Sequence, residues 1–223
     1  MRYLLVIFFL ITTKCFSQKK YSFDYLIEYN FRSYSDTTSN KKIYYLTNSK
    51  DNSYFAKIES FDTLNFDLEL IVQDKIWTKM KLSRKDFINA KFINLTCNSS
   101  LIYKNYFKFR TKEYKFEIIK DTILESLPLN RYKLEYVGKR KRKKSFPVGT
   151  NVYIIANSTD FHSPILTHST AFEEWKEKGK IPNGIFKEKI FYDFKNNIDY
   201  KYILNNYSEI NKTIVIPDNC LEN

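Results

Sequence analysis

The odd positions from 21 to 31 are Tyr21, Phe23, Tyr25, Ile27, Tyr29 and Phe31, with Ser22, Asp24, Glu28 and Asn30 between them. A period of two places the apolar residues in one row on one side of a strand. Shorter stretches of the same kind at 42–46 and 54–58 are set off by polar turns at 33–40 and 48–52. Leu64, Phe66, Leu68, Leu70 and Val72 alternate with polar residues, and after a tight turn at 73–75 Ile76, Thr78, Met80 and Leu82 form the second arm of a hairpin. Ser83, with Asp86 three residues on, is placed to cap one helical turn over 83–89. Further strands are predicted at 92–96, 106–110 and 114–119, and 121–130, which contains Pro128, reads as a connection.

The segment 132–156 carries two alternating arms on either side of a cationic stretch, the pattern of a long β-hairpin. Positions 157–169 keep neither period. Thr170 and Glu173 then have capping-box spacing, Phe172 and Trp175 share a helical face, and Gly179 ends the helix. A third hairpin is expected from 185–194 and 198–204, and an edge strand at 213–216 is stopped by Pro217. So many strands with so few crossover helices predict a mainly β fold: one large curved antiparallel sheet, a half-barrel or open barrel meander, with one short helix in the C-terminal half.

Composition agrees, since 18 Tyr and 19 Phe against 4 Gly and 5 Pro suit a pleated, half-buried surface. Residues 1–17 stand apart. Arg2 is a positive start, positions 3–11 are apolar, and Cys15 and Ser17 sit where a signal peptidase inspects. The apolar run is too short to span a bilayer as a helix, which takes about 20 residues. The layout predicts a signal peptide at 1–17, cut before Gln18, with Lys14 arguing against lipid attachment at Cys15. The expected location is the periplasm, the outer cell envelope or the medium beyond, and 18–223 reads as a single β-rich domain. Cys97 and Cys220 then remain, as a disulfide or as two thiols. So long a loop would credit the bridge with about 4–5 kcal/mol in the chain-entropy model.

The net charge of +12 falls to +10 without Arg2 and Lys14, and six of those charges are Lys139, Arg140, Lys141, Arg142, Lys143 and Lys144. In an exported chain this run excludes nucleic acid and points to an anionic membrane surface or an acidic partner, or to a solvated tip that prevents edge pairing. Asp160, His162 and His168, with Glu173 and Glu174 close behind, are the candidates for acid–base or metal chemistry. Their spacing fits none of the recurring zinc patterns. No nucleophile elbow surrounds Ser169 and nothing marks Cys97 as an activated thiolate, so the sequence predicts no enzyme, no metal and no cofactor.

The strand at 132–137, the strand at 152–155, Pro164 and the turn Ile181, Pro182, Asn183, Gly184, Ile185 running into a strand resemble the C-terminal half of GLPGLI-type exported proteins. An extra Asn splits the Pro from the Gly, and the leucines are missing. The meander also resembles the half-barrels of lipoprotein carriers. These resemblances imply a curved antiparallel sheet with a helix over its concave side. The first implies no activity; the second implies a lipid or other apolar ligand. The expectation is an exported binding protein that holds an apolar or acyl ligand, the alternative a structural or adhesive interaction protein with a filled core.

Overall fold

The structure, a computed structural model, describes residues 18–73, 75–96, 100–102, 108–124, 126–138, 148–217 and 220. Its strands are β1 (Lys19–Ser33), β2 (Lys41–Thr47), β3 (Tyr54–Ser60), β4 (Asn65–Val72), β5 (Ile76–Ser83), β6 (Phe92–Asn94), β7 (Ser100–Ile102), β8 (Tyr114–Leu124), β9 (Leu127–Tyr136), β10 (Thr150–Ile155), β11 (Phe186–Tyr192) and β12 (Ile198–Ile216). Two α-helices, α1 (Arg84–Asn89) and α2 (Ser169–Lys178), interrupt them. All the strands belong to one sheet in the order β7-β5-β4-β3-β2-β1-β12-β11-β10-β9-β8, with β6 beside β12. Every pair along that path is antiparallel, β6 alone runs parallel to its neighbour, and the path does not close into a barrel.

The sheet is two meanders joined at their ends. β1 to β5 form one, β8 to β12 the other, and the seam is β1 against β12, paired from Lys19 with Ile216 to Ser33 with Tyr200. In the N-terminal half, Leu46, Ala56, Ile58, Leu68 and Leu70 pack on one face under Phe87 of α1, Ile93 and Leu95. The odd-numbered neighbours Ile43, Tyr45 and Phe55 pack on the opposite face with Ile27, Tyr29 and Ile165, as a period of two requires. In the C-terminal half Tyr132, Leu134, Tyr153 and Ile155 are covered by Leu166, Phe172 and Ile181.

Several expectations are corrected. Residues 108–110, read as the end of a strand, open a 3-10 helix over Lys108–Glu113. The connection expected at 121–130 is a continuous hairpin: β8 runs on to Leu124, Ser126 takes φ 66 in the turn, and Leu124 pairs with Leu127. Thr213–Ile216 is no edge strand but the far end of β12, held between β1 and β6. The capping box at Thr170 does not form, because the helix starts one residue earlier with His168 as N-cap and Thr170 buried within it. Gly179 does end that helix, at φ 59, its N–H reaching the Trp175 carbonyl at 2.7 Å. Ser83 caps α1 through the Asp86 N–H at 3.0 Å, as its spacing predicts.

Candidate functional site

The site forms where five neighbouring strands, β9 to β12 and β1, bring aromatic side chains into register. Tyr132 of β9 lies opposite Tyr153 of β10, Tyr153 opposite Lys189 of β11, Lys189 opposite Tyr202 of β12, and Tyr202 opposite Phe31 of β1. Directly opposed residues share a face. Two residues along each strand, Leu134, Asn151, Phe191 and Tyr200 form a second row on the same face. The rings of Phe191 and Tyr200 stack at 4.9 Å, and Tyr200 meets Tyr202 edge-on at 5.9 Å.

The segment between β10 and α2 runs across this face as a strap, and the N-terminal half pins it. The Ser163 N–H donates to the Ser49 carbonyl at 2.7 Å, Asn52 Nδ2 to the Pro164 carbonyl at 2.9 Å, and Gln73 Nε2 to the Leu166 carbonyl at 2.9 Å. His162, within the strap, is buried. Its Nδ1 faces the Ser163 carbonyl and its Nε2 the Thr47 hydroxyl at 2.8 Å, and burial lowers its pKa, so the neutral ring donates from Nδ1 and accepts at Nε2. The turn at 181–185 locks to the same strap. The Gly184 N–H reaches the His162 carbonyl at 2.6 Å, and the Ile185 N–H reaches Thr159 Oγ1 at 2.7 Å. Thus the turns of one half of the sheet hold Thr167 and His168 over the other half.

Between the strap and the sheet lies a cavity of about 480 Å³ lined by Arg110, Tyr114, Leu134, Val148, Gly149, Asn151, Thr167, His168, Lys189, Phe191, Tyr200 and Tyr202. That size lies within the 300–1,000 Å³ usual for small-molecule sites. A second depression of about 600 Å³ along β8, lined by Lys115, Glu117, Ile118 and Lys180 among others, is more open. Three cavity residues are cationic types and none is acidic. Lys189 is buried, only 9% exposed. Its Nζ donates to Thr167 Oγ1 at 2.6 Å and lies 5.5 Å from the Tyr202 ring centre and 6.0 Å from that of Tyr153. Burial, aided by the charge of Lys57, pushes its pKa down to about 8. His168 keeps an exposed edge, yet the protein packed around its ring and the Lys189 charge lower its pKa as well. Burial pushes the Tyr202 phenol up to about 12, and the Tyr153 hydroxyl is buried without a hydrogen-bond partner among the described residues.

The candidates read from the sequence are dispersed. His168 lines the cavity, whereas His162 is committed to the strap and Asp160 is exposed. Glu174 is fully buried and structural: its Oε1 accepts from the Phe116 N–H at 3.1 Å and from Lys178 at 3.3 Å, tying α2 to β8. No group of three or more His, Cys, Asp or Glu side chains gathers as a metal site among the described residues. Lys139 to Lys144 and Cys97 lie outside the described residues. Cys220 is buried in the N-terminal core and disulfide-bonded. Lys189 was not among the candidates read from the sequence, where it falls within the 185–194 arm of the third hairpin.

No family model matches the chain, and no curated protein matches it. Among solved structures, a chain of the Pseudomonas aeruginosa MucA/MucB complex matches at a TM-score of 0.43 with 5% identity, covering 90% of this chain and 55% of that one. A crystal structure of MucB matches at 0.41 with 4% identity, covering 83% and 53%. This chain therefore spans about half the length of those chains. A DUF1329 family protein from Desulfovibrio piger matches at 0.26 with 11% identity over 97% of this chain and 91% of that one. Likenesses this loose carry no argument about what this chain binds, and no helix among its described residues is long and apolar enough to cross a membrane.

Proposed function

We propose that the chain is an exported binding protein of the cell envelope that holds a small amphipathic ligand in the cavity of its C-terminal half and performs no reaction on it. The observation that carries this reading is the cavity of about 480 Å³ walled by Phe191, Tyr200 and Tyr202 and roofed by a strap that the other half of the sheet holds in place. Aromatic walls suit the apolar part of a ligand, and a few placed polar groups orient it. Export, with residues 1–17 removed, follows from the leader-like start of the sequence. The run Lys139 to Lys144 would dock the protein on an anionic membrane surface, each cation near the surface contributing about 1 kcal/mol.

Native mass spectrometry of protein recovered from its own envelope tests the reading. The expected spectrum shows a chain beginning at Gln18 with a small molecule that leaves on denaturation. A bare chain in every preparation, loaded with nothing by incubation with envelope lipid extract, would sink it and leave the interaction protein with no ligand.

A further inference from the structure

We infer that Lys189 is an anion anchor and that the cavity takes a ligand with a single carboxylate on an apolar body, the carboxylate seated against the Lys189 ammonium beside the Thr167 hydroxyl. The inference rests on the cavity being a binding site and adds the chemistry of its occupant.

An ammonium carries three N–H donors and no acceptor. Lys189 is buried, and Thr167 Oγ1 is the single hydrogen-bond acceptor it reaches among the described residues. No carboxylate among them forms an ion pair with it, although paired lysines abound elsewhere in the sheet: Lys41 with Glu59, Lys133 with Glu135 and Lys201 with Glu188, each at 2.8 Å. A buried charge without a counter-ion costs several kcal/mol, which a structural lysine avoids by snorkelling to water or by pairing. Lys189 does neither, and it lines the cavity. Its two neighbours across the strands are tyrosines whose rings, near 6 Å away, stabilise a cation without neutralising it.

A carboxylate meets that need, accepting from the Lys189 N–H groups that Thr167 leaves unused. At the seat itself one anchoring ammonium and one neutral hydroxyl match a monoanion better than a dianion such as phosphate, which recruits clusters of guanidinium or backbone N–H groups. The body of the ligand then lies along Tyr202, Tyr200 and Phe191, whose stacked and edge-on rings continue away from the lysine along the same face. The pKa of Lys189 agrees, because at neutral pH it remains mostly protonated while its cost is held in reserve for a partner.

Displacement of cis-parinaric acid fluorescence by dodecanoate, by dodecanol and by inorganic phosphate tests the inference on the mature full chain, wild type and Lys189→Met. The wild type is expected to bind dodecanoate about 10- to 100-fold more tightly than dodecanol, the range of a buried charge-assisted hydrogen bond. Phosphate should not displace the probe. In Lys189→Met that preference should vanish while dodecanol binding persists, and Thr167→Val, which keeps the charge, should weaken dodecanoate by a smaller factor. Retained dodecanol binding shows that a variant has folded. Equal dodecanoate affinity in wild type and Lys189→Met, or displacement by phosphate, would overturn the anchor and leave the cavity as a binding site. Failure of the probe, dodecanoate and dodecanol to bind the wild type would overturn the cavity reading itself.

Discussion

The two halves of the sheet use the same kind of strand to opposite ends. From β2 to β4 both faces are filled: even positions such as Leu46, Ile58, Leu68 and Leu70 pack beneath α1, and odd ones such as Ile43, Tyr45 and Phe55 pack against the strap. From β9 to β11 one face carries tyrosines, a buried lysine and open space. Close packing contributes stability, and an unfilled face with unmet polar groups forgoes it, which is the usual cost of a binding surface. The comparison teaches that one half is scaffold and that its turns, through Ser49, Asn52 and Gln73, position the roof of the site carried by the other.

The largest expected effect breaks the scaffold. Leu68 is fully buried in β4, between β3 and β5, so Leu68→Ala should cost about 2–5 kcal/mol in denaturant titration. Tyr200→Ala removes a larger side chain, but one that borders the cavity, so its cost should be the smaller of the two. Equal losses would erase the distinction between the halves.

A smaller effect sharpens it through pH. Lys189 titrates near 8 in the folded chain against 10.5 ordinarily, so between these values the unfolded chain binds more protons and stability must rise with pH. Below about pH 8 both forms are charged and the burial cost is full, on the order of 3 kcal/mol. The groups facing it are His168 and Thr167 from the strap, Tyr153, Tyr202 and Tyr29 from the strands, Arg110 from the 3-10 turn and, farther off, Lys57. Burial raises the phenols of Tyr29, Tyr45 and Tyr153, so above pH 10 the unfolded chain ionises first and stability falls again. The ligand-free protein should therefore be most stable near pH 10, and Lys189→Met should flatten the rise from 8. A rise unchanged in that variant would show that Lys189 is not the group responsible.

Much of this architecture was legible in the sequence because it rests on local rules. The alternation from Tyr21 to Phe31 and from Phe66 to Val72 gave β1 and β4, and Ser83 with Asp86 gave the cap of α1. Long-range pairing was not legible: nothing local to Thr213 says that it joins a strand begun at Ile198 and pairs with Ser22 near the start of the chain. The site was hidden for a related reason. In β11 a period of two would put Lys189 on the face opposite Phe186, but a register shift against β10 pairs Ile154 with Glu188 and Ile155 with Phe186, leaving Lys187 extra. That shift turns Lys189 onto the face of Tyr153 and Ile155, the side the strap covers. A bulge depends on the partner strand, so no inspection of Phe186 to Ile190 alone reveals it.

The central claim is that one half of the sheet supports and the other binds. Backbone amide NMR of the mature protein titrated with dodecanoate measures it most directly. The account predicts shifts concentrated at Asn151, Thr167, His168, Phe191 and Tyr200, with the amides of β3 and β4 unmoved. Shifts centred on β3 and β4, or spread evenly over both halves, would contradict it.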